Sequence, residues 1–121
     1  MFDRIIYVAG PYRAPTREGI QANIYRALIA AQRLWRMGYV AVAPQANSQH
    51  FDGPAWWYLD GYILLLRRCD AIYVLKDSEN SQGTQAEIKE ARIQGLHVYF
   101  EGINEPPNLY AELQVEVKVN G

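Results

Sequence analysis

Hydrophobic and polar positions along this chain follow two patterns, one typical of buried strands and one typical of helices. Four short apolar runs, each stopped by a turn residue, have the nearly unbroken apolar character of strands buried on both faces of a sheet. Between them, apolar residues recur every three or four positions, as they do along one side of a helix. The pattern predicts strands at 4–10, 39–44, 71–76 and 97–102, and helices at 16–37, 56–68 and 83–94.

The segment "LQVEVKV" at 113–119 alternates apolar and polar residues with period two, which predicts a strand at the edge of a sheet. Strands and helices that alternate with short links predict one α/β domain over residues 1–121. We expect a doubly wound, Rossmann or flavodoxin-like fold, in which a mostly parallel five-stranded sheet carries helices on both faces. Ligands in such folds bind outside the carboxyl ends of the strands. The segments to search for chemistry are therefore 10–16, 44–55 and 77–87.

Composition narrows the class of protein. The 121 residues suffice for one domain, and the twelve Lys and Arg residues are scattered, with a net charge of −1. We therefore expect no nucleic-acid polymer as partner. A single cysteine, Cys69, excludes an intramolecular disulfide and suits a reducing compartment. Because no apolar run is long enough to span a bilayer and the N-terminus lacks a signal-peptide pattern, the prediction is a cytoplasmic protein without a membrane partner.

The first candidate segment is "AGPYRAP" at 9–15. Gly10 allows a backbone to approach a ligand closely, and Tyr12 and Arg13 project from the rim of the sheet. Arginine can bind an anion such as phosphate through two parallel hydrogen bonds. The alternative is a plain Gly-Pro turn with two solvated side chains, and the segment alone favours that alternative.

The second candidate segment is 44–60, whose part 45–55 we predict to be a long irregular loop. Trp56 and Trp57 cannot easily face one core together, which leaves one of them to stack on a planar ligand. Asp60 lies on an otherwise apolar helix, where a buried carboxylate without a partner is costly. It either points to water or has a functional orientation. Two His and one Cys are too few and too scattered for a metal site, so no metal is expected.

The third candidate segment has the spacing S-x-G-x-x-x-E, formed by Ser81, Gly83 and Glu87. A helix begins near Gly83, and the free N–H groups of its first turn favour an anion. Ser81 either caps that helix or donates to a phosphate or sugar oxygen. Helical spacing places Glu87 next to the sheet-facing Ile88, so we expect it to lean toward the crevice rather than outward with Lys89.

Taken together, these segments resemble the nucleoside 2-deoxyribosyltransferase-like superfamily, especially its small bacterial and phage members. The likeness covers about residues 4–100. It rests on "IYVAGPYRA" at the first strand, Asn23 early in the long helix, and "LWRMGYVAVAP" at the second strand. Its most specific part is "YLDGYILLLRRCDAIYVLKDSENSQGTQAEIKEARIQGLHVYF".

The resemblance implies cleavage or transfer of the N-glycosidic bond of a small nucleoside or nucleoside 5′-monophosphate, without a cofactor. Glu87 would be the nucleophile, and Asp60 the carboxylate that orients sugar or base. Related transferases acting on nucleosides carry Asp at the first motif position, whereas hydrolases acting on monophosphates carry Ser, so Ser81 favours a phosphorylated substrate and hydrolysis. The substrate-binding residues implied are Gly10, Tyr12, Arg13, Asn23, Ser81 and Gly83.

Three alternatives stay open. "GTQAE" also resembles the G-T-x-x-E of cytokinin-activating phosphoribohydrolases, which act on the same kind of bond. A non-catalytic nucleotide-binding module would keep the crevice without turnover, although a retired site would be free to lose Glu87, Asp60 and Ser81. A structural or interaction protein would use Trp56 and Trp57 at an interface, and the same pair is compatible with the homodimer that we expect.

Overall fold

The computed structural model describes residues 4–110 of the chain. Four strands and four helices follow one another in this part of the protein. They are β1 Ile5–Ala9, α1 Arg17–Arg36, β2 Val40–Val42, α2 Pro44–Asn47, α3 Ala55–Arg67, β3 Ala71–Val74, α4 Gln82–Ile93 and β4 His97–Phe100. In the same range, no helix has both the length and the apolar character that a membrane crossing requires.

The strands form one parallel sheet in the order β2-β1-β3-β4. Tyr7 in β1 is in register with Val42 on one side and Ile72 on the other, and Ile72 pairs in turn with Val98. The α/β class and the parallel sheet are therefore confirmed for the described residues. The predicted edge strand at 113–119 lies outside them.

The strand order creates a crevice between β1 and β3. The chain leaves β1 for β2 on one side, then returns past β1 to enter β3 on the other side. The segments that follow β1 and β3 consequently diverge, and this is the switch point where ligands bind in open α/β sheets. Residues 10–13 and the start of α4 border this crevice.

Alternate residues of β1 belong to two separate cores, because successive side chains of a strand point to opposite faces. Ile6 and Val8 pack with side chains of α1, whereas Tyr7 and Ala9 pack with side chains of α3 and α4. The second core brings the helix carrying Glu87 onto the face where the Tyr7 side chain lies. The sheet thus joins a residue of the first strand to a helix 80 residues later.

Local sequence explains where most helices and strands begin and end, but two predicted segments differ from the structure. The predicted irregular stretch 45–55 is wrong at its beginning, because residues 44–47 form a single helical turn. Pro44 occupies a first-turn position, where its fixed φ suits a helix and its missing N–H costs nothing. The predicted strand 71–76 ends at Val74, and Asp77 turns the chain with a φ of 62°.

Candidate functional site at the carboxyl ends of β1 and β3

A carboxylate and a phenol meet inside the domain near the crevice. Tyr7 is fully buried, and its hydroxyl donates a hydrogen bond to the Glu87 carboxylate. Glu87 lies in the second turn of α4, between Thr84 and Ile88, which are both buried. The prediction that Glu87 leans inward is confirmed, and its orientation follows from the spacing of the apolar residues around it.

Burial decides the electrostatics of this pair. It raises the pKa of Glu87 from 4.5 to about 7, and the hydrogen bond from Tyr7 lowers that pKa only in part. Burial, together with the nearby Glu87 charge, also raises the pKa of Tyr7, so the phenol keeps its proton and remains a donor. The site therefore holds a carboxyl group that exchanges its proton near neutral pH, as groups in catalytic sites commonly do.

Ser81 begins α4 as its N-cap. Its Oγ accepts a hydrogen bond from the Thr84 N–H at 3.3 Å and lies 2.8 Å from Thr84 Oγ1. The turn before it is held internally, because Ser78 Oγ donates to the Leu75 carbonyl and Gln85 Nε2 donates to the Ser78 carbonyl. Capping, one of the two roles predicted for Ser81, is confirmed.

Gly10 permits a close approach of two backbone segments within the protein. The residue is buried, and a Cβ at this position would lie 2.7 Å from Leu75 Cδ1. The glycine therefore lets the end of β1 pack against the end of β3. Tyr12 and Arg13, the next side chains along this loop, are exposed at the rim.

Two side-chain amides hold the loop at 10–13. Asn23 Nδ2 donates to the carbonyl oxygens of Tyr12 and Arg13 at 3.2 and 3.5 Å. Gln45 Nε2 donates to those of Gly10 and Pro11 at 2.7 and 3.2 Å. The amide of Asn23, a predicted substrate-binding residue, is thus directed to the loop itself.

Gln45 also leaves an open hydrogen-bond acceptor. Its Oε1 is buried and has no partner among residues 4–110. Because the amide nitrogen is committed to two carbonyl groups, this oxygen faces a different direction from them. A buried acceptor without a partner is costly in a finished fold, and a ligand N–H or O–H can satisfy it.

Asp60 lies on the exposed side of α3 and forms no hydrogen bond or ion pair with any residue that the structure describes. The same helix is joined to α4 further along, where Arg67 Nε donates to Glu90 Oε1 at 2.7 Å.

The remaining predicted features lie at the surface. Nothing lies within 4 Å of the position of a Cβ on Gly83, so the first turn of α4 opens onto free space. Trp56 and Trp57 are 62% and 53% exposed, with ring centroids 6.1 Å apart. Both rings, rather than one, are therefore accessible. Within residues 4–110, no three metal-ligating side chains come together.

A separate groove lies away from these residues, within the part of the chain that the structure describes. A groove of about 630 Å³ runs between α1, the edge of β2 and α3, and it contains none of the predicted site residues. Its lining is mostly apolar and includes Leu28, Trp35 and Leu65. Volume alone would favour this groove as a ligand site, but it does not contain Glu87, the carboxyl group whose pKa is raised to about 7.

Two functional candidates escaped the sequence analysis. Tyr7 reads as one more apolar residue of a buried strand, although a hydroxyl inside "IIYVA" signals the need for a buried partner. Gln45 belongs to the segment after β2, where chemistry was expected, but a lone glutamine carries no motif. The signal for Tyr7 was its buried hydroxyl, and the signal for Gln45 was its position just after a strand.

Fold and site together define an α/β protein with a half-buried carboxyl group of raised pKa beside the crevice of a parallel sheet. Residues 4–100 match the family described as Domain of unknown function (DUF4406). This match covers most of the chain, and the protein belongs to that family. A comparison with curated proteins gives no match.

Proposed function

We propose that the protein cleaves the N-glycosidic bond of a small nucleoside or nucleoside 5′-monophosphate, by hydrolysis or by transfer, with hydrolysis favoured. Glu87 is the nucleophile. The observation that carries this proposal is the half-buried Glu87 carboxyl group, which receives the Tyr7 hydroxyl and has a pKa of about 7. A carboxyl group placed there for stability alone would be expected to face a cation or water.

The proposed reaction has two steps. The Glu87 carboxylate attacks C1′ of the sugar, a C–O bond forms, and the C1′–N bond breaks through an oxocarbenium-like transition state. The base leaves with the bonding electron pair and takes a proton, which Asp60 or water supplies. Water then displaces Glu87 from C1′, or a second base does so in the transfer reaction. Neither a metal nor an organic cofactor takes part.

Tyr7 keeps the nucleophile oriented and ready. Its hydroxyl donates to the Glu87 carboxylate, so one lone pair of that group is occupied and the carboxylate plane is held. The raised pKa of Tyr7 means that this donor stays protonated over the range in which Glu87 ionises. The raised pKa of Glu87 makes its ionised form a stronger nucleophile, at the cost of a smaller ionised fraction at pH 7.

The rim residues bind the rest of the substrate in this proposal. The exposed Arg13 and the open turn at Ser81 and Gly83 offer a cation and helix N–H groups to a 5′-phosphate. Tyr12 contacts the sugar from the opposite side of the crevice. The sequence resemblance supplies the substrate class, and the strand order supports this location for it.

We also propose the finer architecture that the sequence predicts, a doubly wound five-stranded sheet with 113–119 as an edge strand, in a homodimer. Large apolar side chains exposed on α3 support the dimer, since contiguous exposed apolar surface commonly marks an interface. They are Trp56, Trp57, Leu59 and Leu64. Sedimentation across a hundredfold range of concentration measures the oligomeric state, and a monomer throughout would contradict the dimer.

The deciding experiment is incubation of the purified protein with ribo- and deoxyribonucleosides and their 5′-monophosphates, followed by chromatography for free base. We expect release from at least one monophosphate. Transfer is detected by adding a second free base and looking for its nucleoside. Binding of a nucleotide without release of base would instead identify a non-catalytic nucleotide-binding module and overturn the proposal.

A further inference from the structure

Two side chains hold all four carbonyl groups of the loop that follows β1. This loop, residues 10–13, carries the rim side chains at the crevice. Gln45 Nε2 donates to its first two carbonyl oxygens at 2.7 and 3.2 Å, and Asn23 Nδ2 donates to the last two at 3.2 and 3.5 Å. The amides come from α2 and α1, so the loop is held from two directions.

The turn that carries Gln45 is itself held by α3. The hydroxyl of Tyr62 donates to the Pro44 carbonyl at 2.9 Å and lies 2.5 Å from Ser48 Oγ. Pro44 and Ser48 stand on either side of Gln45, at the two ends of the single turn α2. A four-residue helix has little stability of its own, so contacts of this kind determine where its side chains point.

We propose that Tyr62, Gln45 and Asn23 are positioning residues that hold loop 10–13 in its ligand-binding shape. The relay runs from Tyr62 through α2 and Gln45 to the first half of the loop, and Asn23 holds the second half. A loop already fixed in the free protein loses less conformational freedom when it binds a ligand. The kinetic part of this inference rests on the proposed function, whereas the structural part does not.

The structural arm measures backbone order parameters by nuclear magnetic resonance. Asn23→Asp and Gln45→Glu each keep the side-chain shape and remove the donor, and Gln45→Glu also keeps an acceptor oxygen. We expect the order parameters of the Tyr12 and Arg13 amides to fall from about 0.85 to below about 0.6. The amides of 71–74 should not change. Tyr58→Phe is the matched control, because it removes a hydroxyl on α3 that bonds Asp52 instead.

The kinetic arm uses 2′-deoxynucleoside 5′-monophosphates as probes. Loss of the donor should raise KM about tenfold or more and leave kcat within about threefold, because the loop binds ground state and transition state alike. In the wild-type background, Tyr62→Phe should raise KM. In the Gln45→Glu background, the same change should raise KM by less than about a further twofold, because both variants interrupt one relay. Tyr58→Phe should leave KM unchanged.

Unchanged order parameters at Tyr12 and Arg13 in both donor variants would overturn the inference. Full additivity of Tyr62→Phe and Gln45→Glu would remove Tyr62 from the relay. Should Gln45→Glu fail to fold, Gln45→Met removes the same donor without a buried charge. A wild-type protein that releases no base, but whose loop loosens in the variants, would refute the proposed function and retain the positioning roles.

Discussion

Within residues 4–110, two tyrosine–glutamate pairs lie on opposite faces of neighbouring strands, and their surroundings differ. On the α1 face, Tyr73 of β3 donates to Glu105 Oε1 at 2.7 Å, and Arg33 lies 3.4 Å from the same carboxylate. On the α4 face, Tyr7 of β1 donates to Glu87, and among the described residues no cation pairs with that carboxylate. The two pairs consist of the same residue types, but only the Glu105 carboxylate has a cation, Arg33, beside it.

Their different surroundings reverse the direction of the pKa shift at the two glutamates. Burial alone would raise the pKa of Glu105, but the Gly102 N–H, the Tyr73 hydroxyl and the Arg33 guanidinium together lower it below its ordinary value. Burial raises the pKa of Glu87 to about 7 because nothing comparable opposes it. The comparison teaches that Glu105 stabilises the fold, whereas Glu87 opposes it, and a residue kept against stability suggests a function.

The largest expected effect is on catalysis. Glu87→Gln keeps the shape of the side chain and removes the negative charge that must meet C1′, so base release should fall at least about a thousandfold. Glu105→Gln, the matched change in the other pair, should leave the rate within about twofold. Chromatography of free base under single-turnover conditions measures both. A Glu87→Gln protein that keeps most of the wild-type rate would refute the nucleophile.

The next effect is on the free energy of unfolding, which should change in opposite directions in Glu87→Gln and Glu105→Gln. The folded protein holds the Glu87 proton up to about pH 7, whereas the unfolded chain loses it near 4.5. The free energy of unfolding therefore falls as pH rises between these values. At pH 8, Glu87→Gln should be more stable than wild type by on the order of 3 kcal/mol, and the gain should vanish below pH 4.

Glu105→Gln is the control for that measurement. The pKa of Glu105 is lowered in the folded protein, so this carboxylate contributes stability above its ordinary pKa and loses it as pH falls further. The variant should be less stable than wild type at neutral pH and equal to it in strong acid. Urea unfolding at several pH values checks both proteins. A Glu87→Gln variant that is destabilised at pH 8 would show that the pair is structural.

A smaller effect concerns the pH profile. If the ionised form of Glu87 reacts, kcat/KM should rise with pH through about 7. The Tyr7 hydrogen bond lowers the pKa of Glu87, so Tyr7→Phe should move the rise of kcat/KM to higher pH. Tyr73→Phe should not move it. A profile that is flat from pH 5 to 9 would argue against a titrating nucleophile.

The smallest effect comes from removing the cation beside the Tyr73–Glu105 pair, which makes it more like the Tyr7–Glu87 pair. Arg33→Met removes the cation beside Glu105, so the pKa of Glu105 should rise. Both side chains are partly exposed, so the stability lost at pH 7 should be about 1 kcal/mol or less. Thermal unfolding at pH 7 and pH 3 measures the difference. A loss equally large at both pH values would indicate packing rather than charge.

Local sequence patterns predicted much of the fold. The helix near 83–94 is observed at Gln82–Ile93, Ser81 caps it, and Glu87 faces inward beside Ile88 as its spacing indicated. These features depend on contacts within a few residues, which periodicity and capping preferences describe. The helical turn at 44–47 was missed because a single turn has no periodicity to detect.

The partners of the candidate site could not be found in this way. Tyr7 meets Glu87 across 80 residues, and Gln45 reaches Gly10 across 35. Each glutamate is a carboxylate that a tyrosine contacts, and a local difference is the Gly102 N–H that donates to Glu105 at 3.0 Å. Their pKa values diverge because Glu87 is the more buried of the two and receives Tyr7, whereas Glu105 also receives the Gly102 N–H and the Arg33 guanidinium.

The sequence by itself determined the parallel α/β class, the order of elements, the start of α4 and the inward direction of Glu87, because these follow from hydrogen bonding and apolar spacing along short stretches. Only the tertiary structure decided that Tyr7 is the partner of Glu87, that no cation from residues 4–110 pairs with that carboxylate, and that two amides hold loop 10–13. The reason is physical. Desolvation and charge depend on distance in three dimensions, and the sheet sets those distances by joining strands far apart in the chain.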